Sequence, residues 1–214
     1  MANELWAQQI GVDVGSRSIL EGAELKVSAG EMVVITGPSG SGKTTLLLVM
    51  AGLQNPDRGQ VLLDGDPLPR TDSLRRRFGV ALQNHGLVSV LTAAENVAIA
   101  LQARGVDRAA VTARTREALD ALGLADNANR LVRDLSGGQR QRVGVARALV
   151  AAPEVLLADE PTSELDAERR GLILKLLSDH AGKGNIVILA SHDQIVAEAA
   201  HRSLALVDGR PSSG

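Results

Sequence analysis

The 214-residue chain alternates short apolar runs with amphipathic stretches over most of its length. Runs rich in β-branched residues at 32–36, 61–63, 155–158 and 186–189 have the length and composition of buried strands. Helical patterns separate them, and that alternation predicts an α/β fold with a parallel sheet flanked by helices. Ahead of the first run, 10–14 and 23–27 read as edge strands joined by a turn around Gly15 and Ser16, which predicts a small antiparallel layer. Residues 103–133 differ in texture, being rich in Ala and Arg, and read as an inserted helical block. Within it, Asp107 is placed to cap a helix whose apolar stripe is Val111, Ala118, Leu119 and Leu122, with Gly123 to end it. A second helix is expected over 137–150, with Ser136 as N-cap and Pro153 shortly after its end. The expected division is one domain with a core of about 1–83 and 152–214 and a helical subdomain of about 84–151.

Composition fits this picture and removes several function classes. Hydrophobic residues make up 44% and charged residues 22%, the balance of one large globular domain. A net charge of −2 gives no basic footprint, so no nucleic-acid partner is expected. Without cysteine there is no disulfide framework, thiol catalysis or Cys-ligated zinc, which suits a reducing compartment. Residues 1–10 carry Glu4, Gln8 and Gln9 where a secretion signal needs a basic end followed by an apolar stretch. The longest apolar runs, 46–52 and 186–190, fall well short of the ~20 residues that span a bilayer, so no direct membrane insertion is expected. One Trp, one Phe and no Tyr leave the core to Leu, Val, Ile and Ala.

Chemistry concentrates at the ends of the predicted strands. The run 32–36 leads directly into Gly37-Pro38-Ser39-Gly40-Ser41-Gly42-Lys43-Thr44, and Thr45 continues into an apolar helix to Ala51. Glycines let such a loop curl so that its N–H groups face phosphate oxygens, and the helix N-terminus adds its positive dipole end. Lys43 then supplies a point charge to β- and γ-phosphates, and the Thr44 hydroxyl is a magnesium ligand. A chance Gly/Ser turn would match these positions in well under roughly one chain in a hundred. The run 155–158 ends in Asp159-Glu160, as in a buried strand that delivers acids to the C-terminal edge of a sheet. There Asp159 would hold magnesium and Glu160 would polarise the attacking water; the alternative is an acid pair opening a helix ahead of Pro161. Leu135-Ser136-Gly137-Gly138-Gln139 supplies a second helix start suited to an anion, although alone it reads equally as a turn with an N-cap.

A phosphate loop, then this Leu-Ser-Gly-Gly-Gln signature, then an apolar strand ending in Asp-Glu resembles the ABC ATPase family over nearly the whole chain. The resemblance implies a P-loop NTPase with a RecA-like parallel core, using ATP and Mg2+. It also implies a homodimer on ATP binding, in which Ser136, Gly137, Gly138 and Gln139 of one protomer cap the nucleotide on residues 37–45 of the other. Gln83 matches the family's Q-loop glutamine near magnesium, joining Thr44 and Asp159 in the metal set, and His192 matches the switch histidine. With Lys43 and Glu160, His192 completes the implied catalytic group. Ser163-Glu164-Leu165-Asp166 matches the D-loop, whose Asp166 would contact the partner, or serve simply as a helix N-cap. His85, His180 and His201 match nothing and read as solvated or packing residues, with no metal cluster indicated. Arg140, Arg142 and Arg147 read as an exposed face of the signature helix, Arg140 and Arg142 near enough to the interface to help bind phosphate.

Two departures stand out. Family members usually stack adenine on an aromatic residue in the first antiparallel strands, and the matching position here is Val14. Base stacking is typically worth ~1–3 kcal/mol, so weaker ATP binding or looser base selectivity is expected, with Val14→Tyr tightening ATP. The chain also ends soon after Arg210, which disfavours the sugar-import ATPases that carry a C-terminal regulatory domain. Residues 91–97 and 158–163 look most like the short ATPases of lipoprotein release, macrolide export and cell division. That likeness implies a transporter subunit, peripheral on the cytoplasmic face of the membrane. An integral membrane permease would dock on the stretch opening at His85 and closing at Asn96. The rivals are a soluble ABC ATPase, as in iron–sulfur cluster assembly, and a P-loop kinase or GTPase, in which 135–139 and His192 have no role.

Overall fold

The computed structural model describes residues 1–68, 76–83 and 86–212. Its main sheet is built on β3 (Met32–Thr36), β7 (Val155–Asp159) and β8 (Ile186–Ala190). β7 and β8 are buried along their whole length and β3 up to its last residue, as strands covered on both faces must be. With β6 (Phe78–Ala81), β9 (Arg202–Val207) and β10 (Arg210–Ser212) they form a six-stranded sheet in the order β10-β9-β3-β8-β7-β6, parallel except for β10 against β9. The last hairpin turns through Asp208 and Gly209, both at positive φ, which is the two-residue turn chemistry of tight hairpins.

A second, antiparallel sheet in the order β2-β1-β4-β5 consists of β1 (Glu4–Val14), β2 (Arg17–Ser28), β4 (Arg58–Leu63) and β5 (Asp66–Pro67). The expected hairpin is present, with Val14 opposite Arg17 across Gly15 and Ser16 and both strands longer than the sequence pattern indicated. Residues 61–63, expected in the parallel sheet, instead pair with Ala7 and Leu5 in this layer. The cause is one-sided burial: Val61 and Leu63 are buried while Leu62 between them is not, the alternation of a strand with one wet face. Helix α1 (Lys43–Met50) packs between the two sheets, so Leu46, Leu47 and Met50 share one core with Leu5, Ile10 and Ile188.

The helical block follows β6. It contains α2 (Ala93–Gln102), α3 (Arg108–Asp120) and α4 (Gly137–Leu149), with short 3₁₀ turns at Ala125–Asn127 and Val132–Asp134. Asp107 caps α3 through the amides of Ala109 and Ala110, and Gly123 beyond its end has φ 63°. Of the expected stripe, Val111, Leu119 and Leu122 are buried and Ala118 packs at their edge. Arginines fasten the block by donating to backbone carbonyls: Arg104 to Ala151 and Phe78, Arg114 to Val150, and Arg147 to Gly86. Arg142 is only 7% exposed and donates to Leu122 at 2.7 Å and Gly123 at 3.2 Å.

The exposed arginine face expected on α4 is therefore corrected. Arg142 points inward to satisfy the carbonyls left over at the end of α3, and Arg140 and Arg147, half-buried, donate to Leu135 and Gly86. α5 (Ala167–Gly182) and α6 (Gln194–Glu198) complete the flanking layer.

Candidate functional site

Strand β3 delivers the loop 37–42 to the C-terminal edge of the sheet, where it turns into α1. Gly37 has φ 145°, and a Cβ there would lie 2.2 Å from the Leu206 carbonyl oxygen and 2.7 Å from Ser41 Oγ. Gly42, at φ 98°, lies against β2: a Cβ would meet Leu20 Cδ2 at 2.7 Å and the Ile19 carbonyl oxygen at 2.9 Å. No side chain caps the first turn of α1, and the buried Ser41 Oγ has no hydrogen-bond partner. A tight loop with free amides and an orphaned hydroxyl fits a phosphate group. Lys43 Nζ donates to the Gly37 and Pro38 carbonyls at 2.8 and 2.9 Å, which holds its charge over the loop.

Asp159 and Glu160 sit at the end of β7, one strand away from β3. Thr44 Oγ1 donates to Asp159 Oδ2 at 2.7 Å, and Gln83, just beyond β6, lines the same space. This is a hard, all-oxygen donor set, which suits magnesium held by few protein ligands together with phosphate oxygens. No cluster of three or more His, Cys, Asp or Glu able to hold a metal by itself occurs among the described residues. Burial, with the neighbouring Glu160, raises the Asp159 carboxyl above its ordinary value, while the Thr44 hydrogen bond and Lys43 pull it back.

Glu160 adopts φ 48°, a strained backbone that turns its side chain out of the strand direction. Its amide donates to Ala190 at the end of β8, so the residues after Ala190 meet it. Ser191 Oγ donates to Oε2 at 3.1 Å, the His192 amide to Oε1 at 3.2 Å, and His192 Nδ1 lies 2.7 Å from Oε1. A carboxylate held in this way beside a solvent-facing imidazole is equipped to accept and pass on a proton.

One cavity of about 610 Å³ gathers most of the expected residues: Pro38, Ser39, Gly40, Gly42, Lys43, Thr44, Thr45, Gln83, Asp159, Glu160 and His192 all line it. Ser136, Gly137, Gly138, Gln139 and Asp166 do not. Ser136 caps α4 in a reciprocal box with Gln139, and Asp166 caps α5 through the Arg169 amide. Gly137 and Gly138 lie against the segment after Glu160: a Cβ on Gly137 would stand 1.6 Å from Glu164 Oε2, and one on Gly138 2.7 Å from the Glu164 carbonyl oxygen.

Among the remaining histidines, buried His180 packs with its ring against the Pro153 carbonyl, and His201, exposed, accepts from the Met32 amide at Nδ1. His85 lies outside the described residues.

Three residues belong to the site that the sequence did not single out. Gln141, buried in α4, donates to the Glu160 carbonyl and to Ser163 Oγ and accepts from the Glu164 amide, tying the signature helix to the acid segment. Ser191 was visible only as part of the Ser-His pair. Arg17 lines the open end of the cavity together with Ile19, whereas Val14, 62% exposed, does not.

The family model described as ABC transporter matches residues 20–163. The taurine import ATP-binding protein TauB of Pseudomonas aeruginosa is 43% identical over 199 residues, covering 92% of this chain and 74% of that protein. The lipoprotein-releasing system ATP-binding protein LolD of Bacteroides fragilis is 38% identical over 202 residues, covering 91% and 94%. Among solved structures, the dimeric post-hydrolysis state of the ATP-binding cassette MJ0796 bound to ADP and Pi superposes with TM-score 0.89 at 32% identity, covering 98% of this chain and 97% of that one.

Proposed function

The chain belongs to the ABC transporter family as an ATP-binding, ATP-hydrolysing subunit, and we propose that two copies close head to tail around shared ATP beneath a separate membrane permease. The reading of the site rests on one observation: the P-loop, Asp159, Glu160, Gln83 and His192 converge on a single cavity.

In this reading the amides of 37–45 cradle the phosphates, and Lys43 leaves its own loop carbonyls to neutralise them. Thr44, Asp159 and Gln83 would hold magnesium, which would supply positive charge to the phosphates. Glu160 orients the attacking water and takes its proton as the bond from the γ-phosphorus to ADP breaks; His192 steadies Glu160 beside the γ-phosphoryl group.

The signature residues 136–139 and Asp166 lie away from this cavity, which supports a role on the partner's nucleotide rather than their own. Each ATP then draws two half-sites together, and loss of the γ-phosphate releases them. The core, residues 1–83 and 152–214, carries the P-loop and acids. The helical subdomain, 84–151, carries the signature and conveys closure to the permease. Its docking stretch runs from His85 to Asn96; support comes from Val88 and Val90, 43% and 64% exposed, with Leu53 and Ile99 also presenting apolar surface. No helix among the described residues is long and apolar enough to cross a membrane. The proposed place of the chain is beneath the permease, as a peripheral subunit on the cytoplasmic face, which the likeness to transporter ATP-binding proteins supports.

TauB and LolD are named for different cargoes at similar identity, so what they share with this chain is the motor and not the load. Neither supports the soluble-assembly alternative. The test is Glu160→Gln. ATP turnover should fall by about a hundredfold or more, and the ATP-bound dimer should persist on size exclusion with light scattering. Unchanged turnover would remove Glu160 from the role assigned to it. Co-purification of a tagged chain with a soluble scaffold, in place of an integral membrane protein, would overturn the permease reading.

A further inference from the structure

We propose that Arg17 is the base-recognition residue of the nucleotide site, its guanidinium lying over the face of the base with Ile19 beside it. The inference rests on ATP binding at the P-loop and concerns the end of the cavity that the P-loop does not occupy. That end is formed by β2. The strand lies directly against the phosphate loop, as the approach of Gly42 to the Ile19 carbonyl and the Leu20 side chain shows. Arg17 and Ile19 are two apart on β2, so their side chains leave the same face, and both line the cavity. With the phosphates at 37–45, the base must extend toward them.

No aromatic ring is available for that task. Trp6 is engaged elsewhere on the antiparallel sheet, its indole N–H donating to Glu24 at 3.3 Å and its ring covered by Lys26 Nζ at 4.8 Å. Phe78 is 7% exposed within the core, and neither ring lines the cavity. Arg17, by contrast, is exposed, and no hydrogen bond or ion pair engages its side chain among the described residues. Val14 stands directly opposite it across the hairpin turn but does not line the cavity, which leaves Arg17 and Ile19 as the β2 side chains facing the base. A planar, weakly hydrated cation stacks on π faces, and every base presents one. The contact therefore holds a nucleotide without discriminating strongly between adenine and guanine.

The experiment compares calorimetric binding of Mg-ATP, Mg-GTP and Mg-tripolyphosphate to the full chain and to Arg17→Ala. The expected result is a loss of about two- to fivefold for ATP and GTP alike, with tripolyphosphate unchanged. An equal loss for tripolyphosphate would make Arg17 a phosphate ligand, and no loss for either nucleotide would place the base elsewhere; both overturn the proposal. A chain that binds none of the three would instead refute the nucleotide reading itself. Arg17→Lys keeps the charge without the plane and should recover less than half of the lost affinity; full recovery would show that charge alone matters and also overturn stacking. Arg17 is exposed, so unaltered thermal unfolding is the folding control for both variants.

Discussion

Replacing Asp159 by Asn should separate the stability of the chain from its chemistry. The carboxyl is only 4% exposed, and burial together with Glu160 raises its pKa above the ordinary 3.8. A folded-state pKa above the unfolded one means that the folded chain binds the proton more tightly. Stability therefore falls as pH rises from the unfolded value near 3.8 through the raised folded value, and the loss is complete once the folded carboxyl has ionised. Asn retains an acceptor for Thr44 Oγ1, which donates at 2.7 Å, while removing the buried charge and its repulsion with Glu160. Relief of a destabilised functional group is commonly worth ~0.5–2 kcal/mol. In a chain of this size each kcal/mol moves Tm by about 2–4 °C, so nucleotide-free Asp159→Asn should melt about 1–8 °C above the parent at neutral pH. The gap should narrow as pH is lowered. Differential scanning fluorimetry across pH, with and without Mg-ATP, measures both sides: Mg-ATP should raise the Tm of the parent and have little effect on the variant, which should also lose ATP turnover. A nucleotide-free variant that melts below the parent at neutral pH would refute the reasoning, because the fold would then be drawing stability from the buried charge.

Other expectations follow from particular contacts. Gly138→Ala would put a methyl group 2.7 Å from the Glu164 carbonyl oxygen and 3.1 Å from Leu165 Cδ2, so urea denaturation should show a loss of ~1–3 kcal/mol. An unchanged midpoint would contradict that packing. Arg142→Met removes a buried charged donor to Leu122 and Gly123; each such bond is worth ~1.5–3 kcal/mol, and relief of guanidinium burial returns part of it, for a net loss near ~2 kcal/mol in the same assay. Gln141→Leu should lower kcat about tenfold, some ~1.4 kcal/mol at the transition state, with ATP affinity nearly unchanged, because it unties the signature helix from the Glu160 and Glu164 backbone without touching the cavity. A parallel fall in affinity would show that Gln141 acts on binding instead.

What the sequence made legible was contiguous. The strand 32–36, the glycines, Lys43 and the helix after them state their purpose within a few neighbours, and so does the apolar strand that ends at Asp159 and Glu160. Caps were equally local: Asp107 and Ser136 stand just ahead of the helices they close. What stayed hidden depended on residues meeting from afar. Gln141 in α4 reads as one more polar helical residue until Glu160 and Glu164 are brought beside it. Arg142 was misjudged because charge suggests exposure, whereas its partners, the carbonyls ending α3, leave no mark in a side-chain pattern. Residues 61–63 were assigned to the wrong sheet because three residues are too few to tell one buried face from two. The terminal hairpin β9–β10 went unread: Asp208-Gly209 after the apolar stretch 204–207 was a turn signal, but the polar Arg210-Pro211-Ser212 that follows it carries no strand pattern.

The helical block shares one apolar core with the main sheet, and arginines donating to main-chain oxygen at Phe78, Ala151, Val150, Leu122 and Gly123 add polar joints to it. Neither member of such a joint changes its protonation across the range in which proteins work. Burial makes the Asp159 carboxyl at the cavity sensitive to pH, but these joints are not. A shift in pH is therefore felt at the acid end of the cavity and not in the joints that brace the helices around it.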